Sequence, residues 1–290
     1  MNFLQKRLTR CLPIITVHSW GGFGSQLFTA HFVLRLKKKF PHRRIQVAIH
    51  TAGVTQRHAE INFEDLGVKV FEIDDYHLSS ETKPKSETCL YLNKLTDQTI
   101  AFFKALVLKI HLIGQCNTEA SFKSIKPWTL QFRGHYTRLQ LDAGVVQSLF
   151  WLIFSDYVFN KQSLHSLILH YRLGDLLHLD SKSPVNPMKI ETLLQNLKVH
   201  IESAVALTDG EEREYKDFVF GYSILSSLRV QNLDPTNSLC LCISSQEFIG
   251  TEAKLSLWAA IFRKIIFKKP SFLPFGLDWA EEIGLAANWY

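Results

Sequence analysis

Apolar residues fall in short blocks parted by glycine or polar turns, and the blocks alternate between strand and helix periods. Leu12 to Val17 is short, apolar and β-branched, and it stops at His18, Ser19 and two glycines, the pattern of a buried strand. From Gln26 onward, Leu27, Phe28, Ala30, Phe32, Val33 and Leu36 recur at helix-compatible spacing. The basic run Arg35 to Arg44, interrupted by Phe40 and Pro41, closes that helix. Ile45 to Ile49 and Val68 to Ile73 predict a second and a third strand. Strand, glycine turn, helix, strand is the order of a parallel α/β sheet.

The middle of the chain reads as more helical, with apolar stretches over Thr99 to Ile113 and Asp142 to Phe159. Polarity rises around Lys161 to Ser166, and a fresh strand, Leu167 to Tyr171, follows. The expected order after it is a loop at Leu173-Gly174-Asp175, a helix through Ile190 to Ala206 and a charged insert, Asp209 to Lys216. Strands at Phe218 to Phe220 and Leu239 to Ser244, a helix over Ala253 to Ile266, a short strand near Phe272 and a helix over Asp278 to Asn288 complete the chain. In the Leu239 strand Cys240 and Cys242 read as small buried hydrophobes.

The 290 residues suit two domains, expected over 1–162 and 163–290, two α/β halves facing a cleft. A hydrophobic share of 46% excludes intrinsic disorder. The net charge of +6 suits an anionic partner such as a phosphate, a membrane surface or nucleic acid, without choosing among them. Five cysteines at no zinc-like spacing point to a reducing compartment, and the expected location is the cytoplasm. Leu12 to Leu34 lacks charge but carries three glycines, two histidines and Gln26, so no membrane span and no signal peptide is expected. No Asp-x-Asp pattern or His/Cys cluster is present, so neither a metal nor another cofactor is expected; Asp74-Asp75 reads as a strand end.

Three segments carry candidate chemistry. Gly21-Gly22-Phe23-Gly24-Ser25-Gln26 sits between a strand and a helix, where glycines let backbone approach a ligand and helix N–H groups meet an anion. A tight turn needing positive φ explains the same glycines, and the segment is neither a Walker loop nor a G-x-G-x-x-G. His170-Tyr171-Arg172-Leu173-Gly174-Asp175 ends a strand, where open α/β sheets place ligands. Arg172 has the planar fork for phosphate oxygens, although a structural Arg172–Asp175 pair is the plainer alternative. Thr251-Glu252-Ala253-Lys254-Leu255-Ser256 opens a third helix, with Thr251 as its N-cap candidate and Lys254 and Ser256 as further ligand candidates.

Gly21 to Phe28 resembles the Gly-Gly-x-Gly-Asn-Gln-Leu-Phe opening of the α-1,2-fucosyltransferase family. His170 to Asp175 resembles its His-x-Arg-Arg-Gly-Asp motif, Phe132 to Tyr136 its Gly-Tyr-x-Gln segment, and Thr251 to Ala260 its Asn-Ser-x-x-Ser-x-Trp-Ala-Ala helix. The four occur in family order between about residues 14 and 274. The resemblance implies a GT-B-like fold of two Rossmann-like domains with the donor held mainly by the C-terminal one. It also implies a GDP-sugar donor, usually GDP-fucose, inversion without an essential metal, and a glycan acceptor of bacterial O-antigen or capsule synthesis, often lipid-linked. Arg172 would then hold the diphosphate, with Gly22, Gly24, Ser25, Gln26, Thr251, Glu252, Lys254 and Ser256 as the remaining donor-site candidates.

An inverting transfer needs a base, and Asp175, His170 and His18 are the candidates, each expected at a strand end. Ser25 stands where the family has Asn, Leu173 where it has a second Arg, Glu252-Ala253 where it has Asn-Ser, and Thr137 where it has Gln. These departures leave open a transferase with another nucleotide-sugar donor or an inactive sugar-binding relative. A nucleic-acid binder is the rival from a different class, but no basic-aromatic module supports it. The bases at Lys6, Arg7 and Arg10, and from Arg35 to Arg44, suit peripheral contact with an anionic membrane face as well as they suit a solvated surface.

Overall fold

β1 (Ile15–Trp20) pairs in parallel with β2 (Ile45–His50) and β2 with β3 (Lys69–Ile73). β5 (Gln131–Arg133) lies on the other side of β1, and β4 (Ile113–Gln115) beyond it. The computed structural model describes residues 13–51, 58–73, 106, 113–155, 157, 165–178, 183–197 and 201–290. Within them the chain divides into two compact units, Met1–Val145 and Val146–Tyr290.

The first unit holds a sheet of order β3-β2-β1-β5-β4. Helix α1 (Phe23–Lys39) covers one face of it. Its Thr29 hydroxyl meets the Ser19 hydroxyl at 2.8 Å, and its Phe32 ring stacks on Tyr136 at 4.3 Å and meets Phe132 edge-on. The expected helix over Thr99 to Ile113 and the Asp74-Asp75 strand end lie almost wholly outside the described residues. The basic end of α1 is tied down by short helix α2 (Glu119–Lys123) and the turn before α3 (Ala143–Ile153). Glu119 accepts from both terminal nitrogens of Arg35 at 2.6 and 2.9 Å, and Lys38 pairs with Asp142.

The second unit holds β6 (Leu167–Tyr171), β7 (Ala204–Thr208), β8 (Arg229–Gln231), β9 (Glu247–Gly250), β10 (Phe272–Leu273) and β11 (Asn288–Trp289). Read from β8, the order is β8-β7-β6-β9-β10-β11, which is the 3-2-1-4-5-6 order of a Rossmann sheet. Every pairing among the described strands of both sheets is parallel. Leu167, Leu169 and Tyr171 pack one face of β6 against Ile190 and Leu194 of α4 (Pro187–Leu197), Tyr215 of α5 (Glu212–Phe218) and Leu225 of α6 (Ser223–Ser227). The expected α/β architecture of two Rossmann-like units is thus what the chain forms. Among the described residues no helix is long and apolar enough to cross a membrane.

Several elements differ from expectation, each for a local reason. Leu239 to Ser244 is not a strand but the body of helix α7 (Pro235–Ser244). Asp234 caps it by accepting from the Thr236 and Asn237 amides, and Pro235 takes the first turn, where its missing N–H costs nothing. The buried set Ser238, Leu239, Cys242 and Ile243 then follows helical spacing, although Leu-Cys-Leu-Cys also alternates. The charged segment after Asp209 is helix α5, begun by a capping box between Glu211 and Glu214, so Phe218 to Phe220 is its end rather than a strand. The helix expected through Ile190 to Ala206 is described as far as Leu197, residues 198–200 lie outside the described residues, and the fully buried β7 takes Ala204 onward. Asp278 to Asn288 is split by Gly284, at φ +92°, into a tight 3₁₀ turn (Phe275–Ile283) and β11.

Helix α8 (Lys254–Phe262) continues into a wider turn, Arg263–Phe267, that buries Arg263 completely. The guanidinium reaches five carbonyls: Cys242, Ile243 and Ser245 at 3.1, 3.2 and 2.8 Å, Gln246 at 2.8 Å and Pro270 at 3.0 Å. It thereby caps the C-terminal end of α7, where the helix dipole is negative. Burial lowers its proton affinity to about 10, so it stays charged at neutral pH. Arg263→Met keeps the length and removes the donors, and it should lower the unfolding free energy in urea by about 3 kcal/mol or more, because buried acceptors are left unpaired. A loss below about 1 kcal/mol would show that the cap is replaceable.

Candidate functional site

A parallel sheet opens a crevice where neighbouring strands send their connections to opposite faces, at their carboxyl ends. In the first unit that point lies between β1 and β5, and in the second between β6 and β9. The expected site segments end at these two points.

In the first unit β1 ends at Trp20, and Gly21 turns the chain at φ +90°, a conformation that favours glycine. A Cβ there would lie 2.8 Å from Ser25 Oγ. Gly22 then opens α1 without a side-chain cap, at an ordinary φ of −77°, and Gly24 is buried in the first turn. Gln26 is fully buried, and its amide is used inside the protein. Nε2 donates to the His58 carbonyl at 2.6 Å, and Oε1 accepts from Glu60 and Ile61 at 2.8 and 3.3 Å. Gln26 thus fastens the 58–61 segment beside the glycine turn. Ser25 stays half-buried at its rim.

His18 is 1% exposed, with Nδ1 2.8 Å from His50 Nε2, and Trp20 stacks over His50 at 4.3 Å. Burial, helped by the Arg133 charge, holds His18 at about 3, so it is neutral at physiological pH. The 132–136 segment joins the same place, because the Tyr136 hydroxyl donates to the carbonyls of His18 and Phe132, both at 2.9 Å. Trp20, His50 and Arg133 were not among the expected site residues. They end β1, β2 and β5, whereas His18, expected at a strand end, lies inside β1 because the strand runs on to Trp20; only the register puts His50 and Arg133 beside it.

In the second unit Thr251 joins the two central strands. Its hydroxyl donates to the His170 carbonyl at 3.1 Å and accepts from the Arg172 amide at 2.9 Å. It is therefore not the expected helix cap; Ala253 holds that position, and the first turn of α8 has no side-chain cap. His170 Nδ1 meets the buried Ser256 hydroxyl at 2.7 Å, so two separately chosen candidates are partners. Gly250 makes this approach feasible, since a Cβ there would lie 2.6 Å from Ser256 Cβ. Burial lowers His170 to about 4, with Asp209 pulling upward and Arg172 downward.

Arg172 is half-buried at the strand end, and Lys254 begins α8. Glu252 is exposed, with its carboxylate against Gly276. Leu173 is fully buried among Tyr171, Ile190 and Tyr215, an apolar place that cannot take a second cation. Asp175 lies in the 3₁₀ turn Gly174–His178, and its side chain lies outside the described residues. Asp209, read only as part of a charged insert, holds this turn in place: Oδ1 accepts from the Leu173 and Gly174 amides at 2.8 and 3.0 Å. The Thr-Asp-Gly step after the apolar strand Ala204–Thr208 was the available signal.

The arrangement places a half-buried arginine, a lysine and an uncapped helix start at one switch point, which suits an anion such as a diphosphate. Both imidazoles bind protons too weakly to be good bases near neutral pH. No family model and no curated protein matches the sequence. Among solved structures, the chain is similar to the glycosyl transferase family 9 protein from Veillonella parvula DSM 2008, at 12% identity over 90% of this chain and 80% of that one, TM-score 0.44. It is also similar to E. coli heptosyltransferase WaaC with ADP, at 10% identity over 94% and 90%, TM-score 0.41. UDP-GlcNAc 2-epimerase from Neisseria meningitidis bound to UDP-GlcNAc matches at 13% identity over 89% and 82%, TM-score 0.40. These likenesses are distant.

His18, His170 and the buried His31, which burial lowers to about 3, all take up protons less readily folded than unfolded, where the value is 6.5. Their contribution is complete above pH 6.5 and is lost as the pH falls towards 4 and 3, because the unfolded chain gains protons that the fold refuses. Stability in urea should therefore fall on acidification from pH 6.5, by up to about 1.4 kcal/mol per pH unit for each histidine. His31→Gln should flatten the slope. A profile level from pH 6.5 to about 5 would contradict the burial of these rings.

Proposed function

We propose that the chain is a nucleotide-sugar glycosyltransferase, and that its donor is GDP-fucose, transferred with inversion to a glycan hydroxyl. The observation that carries this reading is the meeting of Arg172, Thr251, Lys254 and the uncapped start of α8 at the β6/β9 switch point. The four motif resemblances, in order along the chain, supply the donor and the acceptor class, a bacterial surface glycan.

In this reading Arg172 and the helix start hold the diphosphate and stabilise the charge that develops as it leaves. Thr251 and Ser256 act through position: one fixes the Arg172 backbone, the other orients His170. With His18 and His170 held at low proton affinity, removal of the acceptor proton falls to Asp175. The weak basicity of both imidazoles and the burial of Leu173 also favour a second reading, a relative that binds the donor without turnover.

Calorimetric titration tests the donor first. GDP should bind, UDP and CMP should not, and Arg172→Ala should weaken GDP by about 1.5–3 kcal/mol. Arg172→Lys should restore part of that, since an ammonium lacks the fork. Preference for UDP or CMP would refute the donor assignment. Turnover of GDP-fucose with an acceptor glycan separates the two readings: the transferase reading expects it to be present and to be abolished in Asp175→Asn with GDP affinity kept, and GDP binding without turnover in the unaltered protein establishes the second.

A further inference from the structure

A well-formed cavity of the first unit is remote from the switch point. It lies at the opposite edge of the sheet, where β1, β2 and β3 begin, and has a volume of about 480 Å³. Ile14 and Ile45 form an apolar wall, and Lys37, Arg43, Arg44 and Lys69 surround it with Glu64 as the one carboxylate among its lining residues. The lining therefore carries a surplus of three positive charges.

Folding sorts the basic run that ends α1. Arg35 and Lys38 are neutralised by Glu119 and Asp142, and Lys39 donates to the carbonyls of Phe122 and Lys123. Those three cations are engaged away from the cavity. Lys37 instead donates to the Leu66 carbonyl at 2.6 Å, which sets its ammonium at the cavity wall. Arg43 uses its terminal nitrogens on the Pro127 and Pro13 carbonyls, and its buried Nε has no hydrogen-bond partner. Lys69, from a distant part of the sequence, is brought in by the Gln46–Lys69 register of β2 and β3. Arg44 and Lys69 are exposed at the mouth.

Ile14, 37% exposed, adds apolar surface beside these cations. A small inorganic anion would use the charges and leave that wall wet, whereas a hydrocarbon chain attached to the anion would cover it. We propose that this cavity is a binding site for an amphiphilic phosphate, a phosphate ester carrying a hydrocarbon chain. Arg44 and Lys69 meet the phosphate, Lys37 adds its charge at the wall, and Ile14 and Ile45 take the first carbons of the chain. The site stands independently of the transferase reading, since it shares no residue with the β6/β9 switch point.

The test uses the full chain without any nucleotide. Binding of dihexanoyl phosphatidate and of inorganic phosphate is measured by calorimetry, and sedimentation with vesicles of phosphatidylglycerol and phosphatidylcholine is compared with phosphatidylcholine alone. Phosphatidate should bind at least about tenfold more tightly than phosphate, from a few buried methylenes. Arg44→Glu with Lys69→Glu should weaken phosphatidate and anionic-vesicle binding by about thirtyfold or more. Lys189→Glu with Arg213→Glu, an equal charge change on the second unit, should stay within about twofold of the unaltered protein, because that unit does not line the cavity. Ile14→Ser should lower phosphatidate affinity and leave phosphate affinity unchanged. Equal affinity for phosphate and phosphatidate would reduce the cavity to a plain anion site and overturn the proposal. Equal loss in the two charge-reversal variants would assign binding to diffuse charge, and no binding of phosphatidate or vesicles would leave the cavity without this ligand; either result also overturns it.

Discussion

In a parallel sheet each connection must leave the carboxyl end of one strand and return to the amino end of another, so all useful loops gather at one edge. Where the winding direction reverses, two neighbouring loops part and leave a crevice. In the second unit the reversal lies between β6 and β9, and the crevice is held by Thr251, whose hydroxyl serves the His170 carbonyl and the Arg172 amide together. In the first unit the same role falls to Tyr136, which secures the end of β1 through the His18 carbonyl. Both bonds connect segments far apart in sequence, and both fix the backbone from which candidate ligand groups project.

This has an energetic consequence for the polar groups nearby. A hydroxyl or imidazole buried at a strand end must find a partner inside the protein, and each pairing withdraws it from direct ligand contact. Gln26, Ser256 and Thr251 follow that course, and His18 follows it through Nδ1, its buried Nε2 having no hydrogen-bond partner. Arg172 and Lys254, both half-buried, are the cations near this switch point, and the exposed Glu252 is its acid. The same burial lowers the imidazoles, so histidines that look reactive in sequence are neutral, weakly basic groups in the fold.

Charge follows a parallel rule. A ten-residue stretch rich in Lys and Arg suggests one continuous face, but helix ends need cations and buried carbonyls attract them. Glu119 and Asp142 take up Arg35 and Lys38, the Phe122 and Lys123 carbonyls take up Lys39, and Arg263 meets the same carbonyl demand at the end of α7. The cations around the cavity at the start of β1, β2 and β3 are Lys37, Arg43 and Arg44 of the same stretch, joined by Lys69 from another strand.

The alternation of buried strands and helices was legible in the sequence, because burial on both faces leaves continuous apolar runs such as Leu167–Tyr171, and glycine marks the turn after β1. The site segments were legible as well, since strand ends followed by glycine or threonine are local features. Where two periods fit the same residues, as at Leu239 to Ser244, only the cap formed by Asp234 and the packing of Cys242 and Ile243 decided for a helix. Asp209, His50 and Arg133 could not be placed from sequence, because their importance comes from register between strands rather than from neighbours along the chain. Periodicity is a local property, set by which faces are buried, and the sequence carries it by itself. Pairing, proton affinity and the fate of each charge depend on what lies across the sheet, and only the tertiary structure decided them.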